Sequence, residues 1–296
     1  AESNSLPIRV YGMLDGNNDE LMKHWFARGP LVDKSGFLDI RSIKVFYDGS
    51  LGSRTALMEE PYSDQLGKSL ATERISTKKI LQLGRKAADK GFQMAVHAIG
   101  DKGNNQVLKL YEEILDTNGI FDHRWRIEHA QVLFPNFYSR AAELKVLASM
   151  QSSHAVGDSK WAEDRIGSER IQDAYAWQNI LKSGVRLLLN SDLPGEPWKP
   201  METLYFAINR KPLDSTKESK GWYMKQALTV EEALKAMTIE NAHGAFQEKK
   251  LGSIEINKLA DFIIIDQNPL TVVSEDIKNI KVLETWVSGI KVSSIN

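Results

Sequence analysis

The sequence predicts an α/β fold, an incomplete TIM (β/α)8 barrel followed by a few C-terminal strands. Apolar, β-branched runs alternate with segments of helical periodicity along most of the 296 residues, which is typical of βαβ units and a parallel sheet. Several of these runs end in residues that can bind a metal, and barrel proteins carry their functional side chains at the C-terminal ends of their strands. Past residue 246 the alternation stops, which indicates a second region of β-structure.

Six strands are predicted in the barrel region, whereas a closed barrel needs eight. The strands cover residues 9–14, 43–48, 93–99, 125–130, 146–151 and 185–192. Helical periodicity covers roughly residues 73–90, 104–118, 136–144, 159–183 and 201–209. A further helix begins at the capping-box pair Thr229 and Glu232 and is predicted to stop at Gly244.

The C-terminal region is predicted to be β-structure outside the barrel. Residues 253–266 and 280–292 read as strands joined by turns, with no helix between them. We therefore predict two domains, a partial barrel at residues 1–246 and a portion of a small β-sandwich at residues 247–296.

Composition argues against several classes of function. A formal charge of −1 argues against nucleic acid or an anionic membrane as the main partner. The absence of cysteine excludes disulfides, thiolate metal sites and cysteine nucleophiles. No apolar run approaches the ~18 residues of a membrane span, and the first residues lack the features of a signal peptide. A strand is predicted almost at the start, so we expect the chain to belong to a longer protein, and the compartment stays open.

Two histidines end consecutive predicted strands. His97 follows an apolar run and shares a strand face with Ala95, and His129 repeats the arrangement in RIEHAQ. Either one alone would fit a buried histidine satisfied by a hydrogen bond. Together they favour a metal site, since neutral imidazole is the commonest metal ligand, and Asp101 and Glu128 are candidate carboxylates to orient the rings.

Asp192 and Lys44 extend the pattern to two further strands. Asp192 ends RLLLNSDLP and would be a metal ligand or a proton acceptor, or else an Asx-turn or helix-cap residue. A lysine pointing into a barrel, as predicted for Lys44, is costly unless it is paired, deprotonated or modified. It would form a carbamate that ligates metal, or an ion pair with Asp48. His154 lies just past another strand and is predicted to contact substrate, and the long loop 50–70 is predicted to border the active site.

The chain resembles a known family along most of its length. The matching stretches are KVFYDGSLGSRTALMEEPYSD, QMAVHAIGDKGNNQVLKLYE, RIEHAQVL, ASMQSSHAVGDSKWAEDRIGSERIQDAYAWQNILKSG, NSDLPGEPWKPMETLYFAINR and LGSIEINKLADFIIID. As an ordered set they resemble the amidohydrolase superfamily of metal-dependent hydrolases. Within it they are most similar to amidohydrolase family 3, which includes N-substituted formamide deformylases and proteins called exoenzyme regulatory protein.

The resemblance implies roles for the strand-end residues. His97 and His129 match the metal ligands of the fifth and sixth barrel strands, and Lys44 matches a fourth-strand lysine that is often carboxylated and bridges two metals. Asp192 matches the eighth-strand aspartate, which binds metal and shuttles the proton. The cofactor implied is one or two divalent metal ions, most commonly zinc.

The chain departs from the family in one major respect. The first-strand His-x-His pair is absent from these residues, and RVYGML aligns with the third barrel strand, so the resemblance implies that about strands 3–8 are present. Asn190 stands where the group usually has glycine, which we interpret as a tolerated change. We expect the isolated chain to have negligible activity, and to pair with another copy of itself or with the missing N-terminal part.

The implied reaction is hydrolysis of a C–N bond, in an amide or N-formyl group of a small molecule. Asp192 would carry the proton, and His154 with Gln151 would hold the substrate carbonyl or its oxyanion. The alternative is a non-catalytic barrel with a binding or regulatory role. A metal-dependent isomerase is a third hypothesis, which gives no account of the C-terminal strands.

Overall fold

A computed structural model describes residues 6–65, 71–118 and 121–294. The chain forms two compact units. Unit 1 comprises residues 1–149, 161–176 and 182–186, and unit 2 comprises residues 150–160, 177–181 and 187–296. Residues 66–70 of the predicted loop 50–70 lie outside the described residues.

Helices and strands alternate as predicted. The strands are β1 (Val10–Asp15), β2 (Leu31–Val32), β3 (Leu38–Phe46), β4 (Gln93–Ala98), β5 (Arg126–His129), β6 (Leu147–Gln151), β7 (Leu187–Asn190), β8 (Phe262–Ile265), β9 (Val282–Val287) and β10 (Ile290–Ser294). The helices are α1 (Asp19–Arg28), α2 (Thr77–Lys90), α3 (Asp101–Asn118), α4 (Phe137–Glu143), α5 (Ser152–Asp158), α6 (Ala162–Arg170), α7 (Trp177–Lys182), α8 (Pro200–Asn209), α9 (Val230–Met237) and α10 (Ile239–Gly244).

Unit 1 contains a parallel sheet in the order β1-β3-β4-β5-β6, with the short β2 antiparallel to β3. All six residues of β4 are buried, as expected for a strand covered on both faces in a parallel sheet. Two of the helices that connect the strands begin at residues whose side chains cap them, Asn18 before α1 and Ser76 before α2. The strands that carry Lys44, His97 and His129 therefore lie side by side in this sheet.

Unit 2 contains β7, the helices α8 to α10 and a small antiparallel sheet in the order β10-β9-β8. The Thr229–Glu232 capping box is formed as predicted. Phe262 of β8 stacks on Trp286 of β9 with ring centroids 5.5 Å apart. The C-terminal β-structure is confirmed, but a 3-10 helix at Ser274–Asn279 lies between the two predicted strand regions, where no helix was expected. The boundary between residues 246 and 247 stays a prediction.

Several predicted elements were wrong in extent. The single helix predicted at 159–183 is replaced by α6, a 3-10 turn and α7, because Gly167 adopts φ 77°, ψ 168° and Ala174 is extended. The helix predicted to run to Gly244 is divided at Thr238 (φ −123°, ψ −88°). Strand 253–266 is reduced to β8, and β3 ends at Phe46, two residues before Asp48. No helix among the described residues is long and apolar enough to cross a bilayer.

A buried histidine away from the strand ends gives unit 1 a predicted dependence on pH. His123 is 2% exposed, its Nδ1 accepts a hydrogen bond from the Trp125 amide at 2.8 Å, and its Nε2 donates to the Leu144 carbonyl at 2.8 Å. The bond accepted at Nδ1 requires the neutral ring, whereas the bond donated from Nε2 would persist in the charged ring. Burial outweighs the Leu144 bond and lowers the pKa of His123. The unfolded chain therefore binds this proton more readily than the folded chain does below pH ~6.5.

We expect the free energy of unfolding to fall as the pH drops below ~6.5, with His123 contributing up to about 1.4 kcal/mol per pH unit. Urea unfolding between pH 5 and 8 measures this slope. His123→Gln should make the slope shallower and leave the share that the buried His97 contributes, whereas His24→Gln, which replaces an exposed ring of α1, should leave the slope unchanged. Parallel pH profiles for the parent chain and His123→Gln would contradict the prediction.

Candidate metal centre and proton-handling pair

Two histidine rings meet at the ends of adjacent strands in unit 1. His97 is the fifth residue of β4 and His129 is the last of β5, where Ala98 and His129 are paired across the two strands. Their ring centroids are 4.5 Å apart with the planes at 74°, and each residue is 8% exposed. His129 and Ala130 have φ values of 75° and 42°. Left-handed backbone at non-glycine residues is costly and is concentrated at functional sites.

The tautomer of His97 follows from its hydrogen bond. Its Nε2 lies 3.0 Å from the carbonyl oxygen of Gly49, and since a carbonyl only accepts, Nε2 carries the proton. The other ring nitrogen, Nδ1, is buried and has no hydrogen-bond partner among the described residues. Burial, followed by the neighbouring His129 ring, lowers the pKa of His97 to about 3. The ring is therefore neutral, with one lone pair available.

This arrangement fits a divalent metal ion. A buried imidazole nitrogen without a partner is costly, and coordination is the interaction that a neutral, tautomer-fixed histidine is suited to make. Two imidazoles at the ends of parallel strands are donors that zinc accepts in catalytic sites. The residues present therefore fit the metal that the sequence predicts.

Lys44 and Glu128 lie in the same unit, on neighbouring strands. The Lys44 ammonium is 5.0 Å from the centroid of the Phe46 ring. Burial alone would raise the pKa of Glu128, but the charges of Arg126 and Lys44 hold it below its usual value, and Glu128 forms an ion pair with Arg126 at 2.5 Å. The positive charge of Lys44 therefore interacts with the Glu128 carboxylate on β5.

Asp48 and Asp101 both accept hydrogen bonds from backbone amides, and Asp48 also lies 3.5 Å from Nε2 of His97. Asp48 accepts hydrogen bonds from the amides of Leu57, Ile99 and Gly100, each at 2.9 Å. Burial raises the pKa of Asp48 to about 6 in spite of these bonds. Asp101 accepts from the amides of Glu59 and Lys102, each at 2.8 Å.

The structure therefore corrects two expectations about these carboxylates. Asp48 does not form the ion pair with Lys44 given as the alternative, because its oxygens accept hydrogen bonds from three backbone amides. The group that fixes the tautomer of His97 is the Gly49 carbonyl, not Asp101 or Glu128. No pattern in the sequence marks a backbone carbonyl for such a role.

A second cluster lies within unit 2. The Nε2 of His154, at the start of α5, is 3.5 Å from Oδ2 of Asp192 and 3.7 Å from Oε1 of Glu196. Burial by itself lowers the pKa of His154, but the hydrogen bond that His154 donates to Asp192 and the charge of Glu196 outweigh it, so the pKa is raised. Asp192 adopts φ 59°, and its side chain is 48% exposed. The pair can hold and move a proton.

Two residues near this pair were missed or given another role by the sequence. Glu196 received no role, although an acid four residues beyond Asp192 in the loop 193–200 was a usable signal. Gln151, predicted to touch the substrate carbonyl, donates its side-chain amide to Oδ1 of Asn190 at 2.9 Å. The asparagine that stands where the group usually has glycine therefore positions a neighbouring side chain.

Comparison with known families identifies the family of this chain. The family model described as the amidohydrolase family matches residues 1–292. The chain belongs to the amidohydrolase family. The resemblance expected from the sequence motifs is confirmed, and with it a fold of parallel strands and helices followed by a small antiparallel sheet.

Individual relatives of this amidohydrolase chain include proteins with different names. It is 36% identical over 256 residues to the protein LONG AFTER FAR-RED 3 of Arabidopsis thaliana, which covers 86% of this chain and 43% of that protein. It is 26% identical over 219 residues to the N-substituted formamide deformylase of Arthrobacter pascens, covering 73% of this chain and 39% of that enzyme. The chain thus spans less than half the length of these two relatives.

A solved structure with a similar fold supports the same assignment. The chain matches an uncharacterized metal-dependent hydrolase from Pyrococcus horikoshii OT3 with a TM-score of 0.80 and 29% identity. The match covers 92% of this amidohydrolase chain and 53% of that structure. The barrel architecture inferred from strand and helix alternation is therefore the fold of the family.

Proposed function

We propose that this chain carries catalytic residues for metal-dependent hydrolysis of a C–N bond, in an amide or an N-formyl group. The observation that carries the proposal is the buried Nδ1 of His97, which has no partner in the described part of the chain and lies beside the ring of His129. The family and the metal-dependent hydrolase of similar fold support the hydrolase class.

His97, through Nδ1, and His129 are the proposed ligands, with Lys44 as a further oxygen ligand if it is carboxylated. When bound, a divalent cation such as zinc would polarise the substrate carbonyl and bring the pKa of a water toward ~7. The neutral state of His97, enforced by burial and by the Gly49 carbonyl, keeps its lone pair available at neutral pH.

Asp192 is the proposed proton acceptor and donor. Its carboxylate is half exposed and lies 3.5 Å from Nε2 of His154, so it can take a proton from water and deliver it to the leaving amine. The raised pKa of His154 favours its protonated form, which would orient the Asp192 carboxylate or donate to a developing oxyanion.

The chemical class of substrate is supported by the relatives. One is an N-substituted formamide deformylase, which makes N-formyl amines the first compounds to test, followed by N-acetyl amines. The formal charge of the whole chain is −1, which is consistent with a small-molecule substrate and with the proposal that neither nucleic acid nor a membrane is the partner.

The test measures amine release from a panel of N-formyl amines, N-acetyl amines and matched esters, after loading with zinc, manganese or no metal. Because the chain alone is expected to have negligible activity, we expect this release when the N-terminal part implied by the resemblance is supplied. Release from at least one amide should then depend on the metal and be abolished by His97→Ala but not by His24→Ala, a control ring on the exposed face of α1. Metal uptake without amine release from any amide would favour the alternative, a non-catalytic binding or regulatory protein.

A further inference from the structure

We propose that Asp48 is a positioning residue, which holds the Gly49 carbonyl against His97 and thereby determines which ring nitrogen of His97 is free. The consequence for metal affinity rests on the proposed function, whereas the consequence for the tautomer does not. All of the contacts involved lie within unit 1.

The Asp48 carboxylate links two segments of unit 1. The side chain is fully buried, and it binds amides from two separate segments. The amide of Leu57 comes from the loop after β3, and the amides of Ile99 and Gly100 come from the turn that follows β4. One carboxylate therefore ties the loop that contains Gly49 to the strand end that contains His97.

The backbone around the Asp48 carboxylate is closely packed. A Cβ at Gly100 would lie 1.9 Å from the Leu57 carbonyl oxygen, and a Cβ at Gly49 would lie 2.0 Å from Oγ1 of Thr55. A Cβ at Gly103 would lie 2.6 Å from Oδ2 of Asp48. The Gly49 amide also donates to the Thr55 carbonyl at 3.1 Å. The backbone around these three glycines is therefore packed too closely to admit a side chain.

The same loop has a second attachment further along the chain. Asp101, at the first turn of α3, accepts from the amide of Glu59. The guanidinium of Arg170 donates to the carbonyls of Glu60 and Pro61 at 2.9 and 2.8 Å. The loop 49–61 is therefore hydrogen-bonded to other parts of unit 1 near both of its ends.

The chemical consequence concerns the imidazole proton of His97. The Gly49 carbonyl can only accept, so its position 3.0 Å from Nε2 selects the Nε2–H tautomer. The Asp48 carboxylate itself lies 3.5 Å from Nε2 and favours a proton there as well. Without the hydrogen bonds of Asp48, the Gly49 carbonyl would no longer be held against Nε2, and the His97 ring could carry its proton on Nδ1 instead. The lone pair of Nδ1 that a metal would bind would then be lost. Asp48 thus acts on the metal ligand without contacting the metal.

The test uses long-range 1H–15N correlation spectra of protein labelled with 15N-histidine, because the two ring tautomers have distinct nitrogen shifts. We expect His97 to be the Nε2–H tautomer in the parent chain without metal. Asp48→Asn, which keeps the size but offers an amide group to three donors, should populate the Nδ1–H tautomer. Asp64→Asn is the control, because Asp64 lies on the same loop but pairs with Arg54 and Arg165 at the surface.

A purely structural role for Asp48 predicts a different result. Asp48→Asn would then lose stability but keep the His97 tautomer pattern of the parent chain, and the inference would be overturned. If that variant does not fold, Thr55→Val removes the hydroxyl that accepts the Ser50 amide at 3.1 Å and loosens the Gly49 turn. An unmixed Nε2–H tautomer in the folded Thr55→Val protein would also overturn the inference.

Zinc titration provides a second readout. Asp48→Asn should weaken zinc binding by about 10- to 100-fold, the usual effect of losing a residue that orients a ligand, and Asp64→Asn should not. A tautomer change in a chain that binds no metal would contradict the proposed function and leave the inference standing. An unchanged tautomer and unchanged zinc affinity in Asp48→Asn would overturn the inference alone.

Discussion

The double variant His97→Ala, His129→Ala is expected to bind zinc at least about 100-fold more weakly than the parent chain, since loss of residues that merely orient ligands already costs 10- to 100-fold. The physical reason is that both rings are buried at adjacent strand ends, and one of them carries an unpaired Nδ1. Titration calorimetry and elemental analysis after dialysis measure the affinity and the number of ions bound.

The control for this experiment must remove a histidine without touching the strand ends. His24→Ala takes away an exposed ring of α1 and should leave both the zinc affinity and the stoichiometry unchanged. We expect about one ion per parent chain. An unchanged affinity in the double variant would show that the bound ion sits elsewhere and would contradict the proposed metal centre.

Asp192→Asn is expected to lower kcat by about 10²- to 10⁴-fold, the range found when a positioned general acid–base is removed, while the metal content is retained. The asparagine side chain is similar in size and can still hydrogen bond to His154, but it cannot take up a proton. The measurement is the steady-state rate on whichever amide the panel identifies, together with the metal content of the same sample.

A matched variant separates proton transfer from simple charge removal. Glu196→Gln removes a carboxylate 3.7 Å from the same His154 nitrogen but leaves Asp192 in place. It should lower the pKa of His154 toward its usual value, shift the pH–rate profile and change kcat far less than Asp192→Asn does. A loss of less than about 10-fold in Asp192→Asn would contradict the assigned role.

The sequence predicted the strand ends well because they depend on local pattern. His97 lies near the end of β4 and His129 ends β5, and because these strands are parallel their C-terminal ends bring both rings to the same edge of the sheet. The capping box at Thr229 was equally local and is formed. The helix predicted at 159–183 failed because an isolated glycine inside a helical pattern is usually tolerated, whereas Gly167 adopts a backbone conformation outside the helical region.

The contacts of Asp48 could not be predicted in this way. Its partners lie 9, 51 and 52 residues away along the chain, and all of them are backbone amides, which have no sequence signature. The position of Glu196 near His154 likewise depends on how the loop after β7 folds. Local periodicity identifies which side chains reach the sheet edge, but tertiary structure decides which of them orients another.

The loop after β7 also carries Trp198, which is 65% exposed. The other tryptophans that the structure describes are buried or half-buried, so their indoles are shielded from collisions with small quenchers. Iodide should therefore quench the fluorescence of Trp198 first. The part of the emission that iodide removes then reports on the segment that follows Asp192. A compound that binds to this segment would protect Trp198 from iodide. Its binding could therefore be followed by fluorescence before any reaction product is identified.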